Sequence, residues 1–261
     1  MTWNLWGRYG PWQARAEAIA ATMAEIQPDV CGLQEVWSAG DRNFAADLAE
    51  RLGLGWRWAM AASTPTAEDP GVSGGNAILS RWPILGVANM SLPVADGDQG
   101  RVAVHARIQA PGGVLPMFTT HFTHQPYASQ ARVSQVRRLA EFVAKHAAGC
   151  DYPPVVTGDL NAEPDSDEVR LLGGLLTAPA VDKQVLLDAW RVAHPTDPGF
   201  TWDHRNSHHN GKTILDCRID YILVGMPRHG RGRIRSVRLA ANAPVNGLWP
   251  SDHFAVVADL D

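Results

Sequence analysis

The sequence predicts an α/β protein in which sheets are covered by helices, built as one domain over residues 1–261. Strand-length apolar runs alternate with amphipathic helical segments through most of the chain, and strand-like runs close it. Hydrophobic residues make up 45% and charged residues 19%, which supplies a sizeable core. No repeat, low-complexity tract or long linker divides the chain, and layered α/β folds reach this length as one unit.

Residues 11–27, PWQARAEAIAATMAEIQ, place Pro11 near the start and Ile19, Met23 and Ile26 at helical spacing, predicting an amphipathic helix. DVCGLQEV follows Pro28 as an apolar run of strand length. Residues 41–52 read as a second helix, closing at Gly53. NAILSRWPIL and RVAVHARIQA are strand-like. In the latter, Val102, Val104, Ala106 and Ile108 alternate with Arg101, Ala103, His105 and Arg107, as in a half-exposed strand. MFTTHF is a further short strand. SQARVSQVRRLAEFVAKH sets Val133, Val136, Leu139, Ala140 and Val143 on one helical face. VVTGD is a strand, followed by a helix near 166–175 capped by Ser166. RIDYILV, RIRSVRL and FAVVADL are the strands of the last third.

The formal net charge of −4 gives no global basic field toward nucleic acid, although a local basic face is compatible with it. Cys31, Cys150 and Cys217 are widely spaced and form no CxxC pair, which points away from a disulfide framework or a zinc knuckle. They read as buried thiols in a reducing compartment. No apolar run approaches the roughly 18 residues of a membrane span. MTWNLWGRYG has neither the basic nor the apolar region of a signal peptide. A cytoplasmic monomer without a transmembrane segment is the expectation.

Polar residues recur at the ends of the apolar strands, read here as carboxyl ends. They are Asn4 in TWNL, Gln34 and Glu35 in GLQEV, His121 in TTHF, Asp159 and Asn161 in GDLN, Asp220 in RIDYI, and Asp252 and His253 in WPSDHF. Strand ends are where ligand sites form in layered α/β folds. A single strand-end Asp is usually a loop cap; six such places in one chain are not explained that way. Asp159 and Asn161 are read as sharing one strand-end face, with Leu160 turned into the core. Gathered in one pocket, Glu35, Asp159, Asp220 and Asp252 would repel unless a cation or an imidazolium sat among them. Hard oxygen donors suit Mg²⁺ or Mn²⁺ rather than zinc. Such a cation beside imidazoles suits attack of water on phosphorus.

Taken in order, TWNLW, LQEV, GNAILSRWPI, TTHF, GDLNAEP, RIDYILV and SDHF resemble the endonuclease/exonuclease/phosphatase superfamily of metal-dependent phosphohydrolases. The resemblance spans residues 2–257. It implies a four-layer α/β/β/α sandwich, two packed mixed β-sheets flanked by helices. It also implies Glu35 as principal metal ligand with Asn4 beside it and Asp252 near the metal. Asp159 would position or deprotonate the attacking water, which Asn161 would hold along with a phosphate oxygen. His253, oriented by Asp220, would contact the scissile phosphate, and His121 would bind a phosphate oxygen. Asp188 in LLDAW and Thr201-Trp202 in GFTW match as scaffold and pocket wall.

The substrate is less legible. His204, Arg205, His208, His209 and Lys212 in HRNSHHNGK would either grip further phosphates or form a solvated loop. Arg231, Arg233 and Arg235 at period two are either a nucleic-acid stripe or a solvated strand face that discourages edge pairing. Among ten tryptophans, Trp6, Trp37, Trp202 and Trp249 flank the motifs, to stack a base or lipid head group or to wedge between layers. A Mg²⁺-dependent phosphodiesterase acting on nucleic acid is the leading expectation. A phosphatase or lipid phosphodiesterase on the same frame is the alternative. A binding module without turnover would show gaps at Glu35, Asp159 or His253, and the sequence has none.

Overall fold

The computed structural model describes residues 1–53, 57–62, 71–94, 98, 100–211 and 215–261, with the backbone alone for 57–62. Two six-stranded sheets face each other. The first has the order β13 (Ile234–Ala240), β14 (Ala255–Leu260), β1 (Thr2–Asn4), β2 (Val30–Gln34), β6 (Gly75–Ser80), β5 (Arg57–Ala62). The second has the order β11 (Leu186–Asp188), β12 (Asp220–Gly225), β10 (Val155–Asp159), β9 (Gly113–His121), β8 (Arg101–Ala110), β7 (Ile84–Leu92). Each sheet contains one parallel pair, β1 with β2 and β9 with β10, and the other pairings are antiparallel. The short strands β3 (Ser38–Ala39) and β4 (Arg42–Asn43) form a separate ribbon.

Side-chain alternation along the strands builds three apolar layers. On the outer face of the first sheet, Trp3, Leu33 and Leu79 meet Ile19 and Met23 of α1 (Trp12–Ile26) and Leu48 of α2 (Phe44–Arg51). Between the sheets lie Ile78, Val104, Ile108, Met117, Ile222 and Val256. On the outer face of the second sheet, Phe118, Val156 and Leu223 meet Val136, Leu139 and Val143 of α3 (Ser129–Ala147) and Val169 of α4 (Asp167–Gly173). This is the four-layer α/β/β/α sandwich. α5 (Ala189–Ala193) packs beside β12 and β13. Among the described residues no helix is long and apolar enough to cross a membrane.

Helix boundaries follow local chemistry. The Asn43 side chain accepts from Ala46 N to start α2, and that of Ser166 accepts from Val169 N to start α4, as the sequence predicts for Ser166. Glu163 and Asp165 are exposed in the turn before it. β8 differs from the expected half-exposed strand. Ala103 and His105 are buried, because Phe118 stacks on His105 at 4.5 Å and Phe142 of α3 covers it. Edge strand β7 is the one that alternates between half-buried and exposed positions.

Toward one end of the sandwich the inter-sheet layer turns polar. Gln34 donates to Thr119 Oγ1 at 2.8 Å across the gap, beside Thr2 and Thr157. Gly32 sits where the sheets come closest: a Cβ there would overlap the hydroxyls of Thr157 and Thr119. The period of two then carries this inward face to the strand ends. Asn4 follows Thr2, His121 follows Thr119, and Asp159 follows Thr157.

Candidate active site

Strand register places three side chains in one row. His121 of β9 pairs with Asp159 of β10, which pairs with Asp220 of β12. Parallel strands β9 and β10 end at this row while antiparallel β12 begins there. Asp220 therefore stands at an amino end of its strand, not the carboxyl end the sequence suggests. Across the gap, Asn4 and Gln34 end the parallel pair of the first sheet.

Left-handed turns complete the site. Trp6, Glu35 and Asn161 have φ of 55°, 52° and 48°, a sparsely populated region that persists where surrounding bonds hold it. Two of the turns share one device. Asn4 Oδ1 accepts from Trp6 N at 2.9 Å, and Asp159 Oδ1 accepts from Asn161 N at 2.9 Å. Strand alternation thus does not explain the pairing of Asp159 with Asn161. β10 stops at Asp159, Leu160 enters the core, and the turn brings Asn161 back.

The polar groups converge on Asp159. Its Oδ2 accepts from Asn4 Nδ2 at 3.0 Å and lies 3.4 Å from His121 Nε2 and 3.8 Å from His253 Nε2. His253 Nδ1 donates to Asp220 Oδ2 at 2.9 Å. The backbone of His253 is pinned by Trp3 Nε1 on its carbonyl at 3.0 Å and by Ser251 Oγ, which accepts its N–H at 3.2 Å. Thr201 Oγ1 accepts from the backbone N–H groups of Ile219 and Asp220. Asn161 Nδ2 donates to Phe122 O at 3.1 Å and faces His121 Nε2 at 3.0 Å, which accepts as a neutral imidazole.

The two imidazoles are driven apart in pKa. Burial, with Arg101 and His253 nearby, holds His121 well below the usual histidine range. Burial also opposes charge on His253, yet Asp220, Asp159 and Asp252 together raise it to about 10. Burial and the Asp220 charge raise Asp159 to about 7. A neutral imidazole, an imidazolium and a carboxyl poised near neutrality thus share one site, a distribution characteristic of acid–base chemistry.

Glu35, Asp252, Asp159 and His253 line a cavity of about 470 Å³. The Asn4 Oδ1 accepts from Trp6 N and keeps a second lone pair, while its Nδ2 points hydrogens at Glu35 Oε1 (3.1 Å) and Asp159, so it links carboxylates. Ligand atoms of Asp159, Asp220 and His253 lie within 4.8 Å of one another and could hold a metal ion. Glu35 and Asp252 add hard-oxygen donors on the cavity wall. Among the described residues no thiol lines the cavity.

The residues expected to bind substrate separate. Trp202 lines the cavity and meets His253 edge-on at 4.8 Å. His204, Arg205 and Trp249 are not on its wall. His204 Nδ1 pairs with Asp216 at 2.6 Å, Arg205 forks onto Asp203, and Trp249 stacks on Phe254 at 5.6 Å. His209 is buried against Trp202, and His208 wedges between Trp6 and Trp249 O. Lys212 lies outside the described residues. Arg231, Arg233 and Arg235 form no single stripe: Arg231 closes a turn with Arg228, and only Arg235 lies within edge strand β13, bound to Asp261. Sequence reasoning missed Arg8, Tyr9, Arg101 and His124 on the cavity wall. For the first two, an arginine between glycines and aromatics in WGRYGPW was the available signal.

The chain belongs to the Endonuclease/Exonuclease/phosphatase family, whose model matches residues 1–253 and whose members are phosphoesterases. It is 27% identical over 282 residues to a putative neutral sphingomyelinase of Drosophila melanogaster, covering all of this chain and 60% of that one. The chain therefore spans about three fifths of that relative's length. A crystal structure of D. rerio TDP2 complexed with single strand DNA product superposes with a TM-score of 0.79 at 21% identity, covering 100% of this chain and 97% of that one. The mannosyl-6-phosphatase of Bacteroides thetaiotaomicron superposes with a TM-score of 0.72 at 19% identity, covering 100% and 98%.

Proposed function

We propose that this chain, as one domain over residues 1–261, is a Mg²⁺-dependent phosphodiesterase that cleaves nucleic acid or a nucleotide-like diester by in-line attack of water. The reading is carried by the row His121–Asp159–Asp220 closed by His253, in which one buried carboxylate lies between a neutral and a charged imidazole. Asp159, when ionised, takes the proton of the attacking water, and Asn161, whose Nδ2 hydrogens go to Phe122 O and His121 Nε2, orients that water through Oδ1. His253, held by Asp220, donates toward the oxygen on which negative charge grows, and neutral His121 contacts a second oxygen. Glu35 and Asp252 would hold the cation. Carboxylate oxygens on a wall without thiols fit Mg²⁺, or Mn²⁺ in its place. When bound, the ion neutralises phosphate oxygens and lowers the barrier electrostatically.

Tyr9, half exposed, and Trp202 on the cavity wall support a nucleic-acid substrate, because any base offers a face to stack. The likeness to a putative neutral sphingomyelinase favours one second reading, a lipid phosphodiesterase using the same residues. A panel of single- and double-stranded DNA, abasic DNA, RNA, sphingomyelin and inositol phosphates decides between them. Turnover should appear with Mg²⁺, vanish in EDTA and return when Mg²⁺ is restored. Full activity in EDTA would remove the cation from the mechanism.

A further inference from the structure

We propose that Arg8 forms a second anion subsite, which takes a phosphate group carried by the substrate beyond the scissile phosphorus. The subsite deepens the phosphodiesterase reading and rests on it. The Arg8 guanidinium lies 4.2 Å from the ring centre of Trp37 and 4.7 Å from that of Trp12. Trp37 in turn stacks on Phe44 at 5.8 Å, which braces the ring that the arginine lies over. Stacked guanidinium keeps its N–H donors in its own plane, directed outward at the edge.

Among the described residues those donors bond to no protein group. Arg8 Nε is buried without a hydrogen-bond partner, and among the described residues the side chain makes no ion pair. The neighbouring arginines are committed. Arg101 contacts Asp98 at 3.1 Å and His124 at 3.0 Å, Arg205 forks onto Asp203, and Arg15 is spent on backbone carbonyls.

The loop is built to hold Arg8 still. Gly7 and Gly10 take φ of +41° and +58° on either side of it, a conformation that suits glycine. Arg15 Nη2 donates to the carbonyls of Trp6, Gly7 and Tyr9 at 2.8–2.9 Å, which fixes the backbone around Arg8. Arg8 lines the same cavity as Glu35, Asp252 and His253. At about 470 Å³ the cavity is in the range that encloses a drug-sized ligand, with room beyond one phosphodiester. A planar fork between tryptophans matches a tetrahedral oxyanion through two parallel hydrogen bonds.

The test compares thymidine 5′-(p-nitrophenyl phosphate), with one phosphorus, against the same compound bearing a 3′-phosphate. With Mg²⁺, the wild type should favour the second compound in kcat/KM, mainly through KM. Arg8→Ala should cut that preference by about 10-fold or more, and Arg8→Lys, which keeps charge but loses the fork, should restore part of it. Calorimetric titration of the EDTA-treated protein with thymidine 3′,5′-bisphosphate reads the same subsite without turnover. Affinity should fall by about 10-fold or more in Arg8→Ala. A parallel titration with inositol 1,4-bisphosphate tells a nucleotide phosphate from an inositol phosphate as the source. An unchanged preference together with unchanged bisphosphate affinity overturns the subsite. If the wild type hydrolyses neither ester, the phosphodiesterase reading fails and the titration still decides the role of Arg8.

Discussion

Asp220→Asn removes one carboxylate charge from a buried pair and leaves the shape almost unchanged. The His253 imidazole stands at about 10 against an ordinary 6.5, despite burial that acts to lower it. That displacement corresponds to about 5 kcal/mol of preference for the imidazolium, an order-of-magnitude figure shared among Asp220, Asp159 and Asp252. Asp220 is the first of the three and the one in hydrogen-bond contact, at 2.9 Å. In Asp220→Asn, burial is opposed only by the more distant carboxylates, so His253 should titrate several units lower. Imidazole NMR of EDTA-treated protein reads this directly. On bis-p-nitrophenyl phosphate with Mg²⁺, kcat should fall between about 100-fold and 10,000-fold, the range for losing an acid–base group or the residue that orients it. Stability follows the same linkage. Because the folded pKa is raised, the stabilisation is fully present below pH 6.5 and is lost as pH rises through about 10. The Tm gap between wild type and variant, measured without metal, should therefore be widest near pH 6 and narrow toward pH 10. A His253 that still titrates near 10 in Asp220→Asn, or a kcat within about threefold of wild type, would refute the pairing.

Removing the Asp159 carboxylate should have the opposite effect on stability from removing that of Asp220. The Asp159 carboxyl is raised to about 7, so what it contributes is present below pH 3.8 and lost as pH rises through about 7. Asp159→Asn should then raise the Tm of metal-free protein above pH 7 by roughly 4 °C or more while abolishing turnover, read by calorimetry and the diester assay. A lower Tm at pH 8 contradicts it. Arg15 is fully buried and donates to the carbonyls of Leu5, Trp6, Gly7, Tyr9 and Pro250. Arg15→Met should cost about 3 kcal/mol or more in urea unfolding, since buried carbonyls lose their donors. It should also raise KM, because it releases the loop that bears Trp6 and Tyr9; stability within about 0.5 kcal/mol of wild type refutes that anchoring role.

Much of the fold was legible because periodicity reports burial. The stripe Val136–Leu139–Val143 and the run VVTGD each face what the pattern implies. The strand-end polar residues were legible because they recur at six places, more than loop caps explain. What escaped depends on contacts between segments distant in sequence. His105 sits in an alternating strand, yet α3 covers it, and nothing local to RVAVHARIQA announces that helix. Asn161 lies next to His121 through a left-handed turn held by Asp159, where strand alternation gives the right neighbours for the wrong reason. HRNSHHNGK reads as a cationic grip or a solvated loop, but His204 is absorbed by Asp216 through chain return and Arg205 by its near neighbour Asp203. Arg8 is the reverse case, a single arginine in a short loop whose idle donors appear only once Trp12 and Trp37 close on it.

His253→Ala, assayed with Mg²⁺ on bis-p-nitrophenyl phosphate beside the wild type, tests the acid–base site most directly. The expected result is a kcat at least about 100-fold lower, with a circular dichroism spectrum like that of the wild type. A folded His253→Ala protein that turns over at near-normal kcat would contradict the chemistry assigned to the row of His121, Asp159 and Asp220.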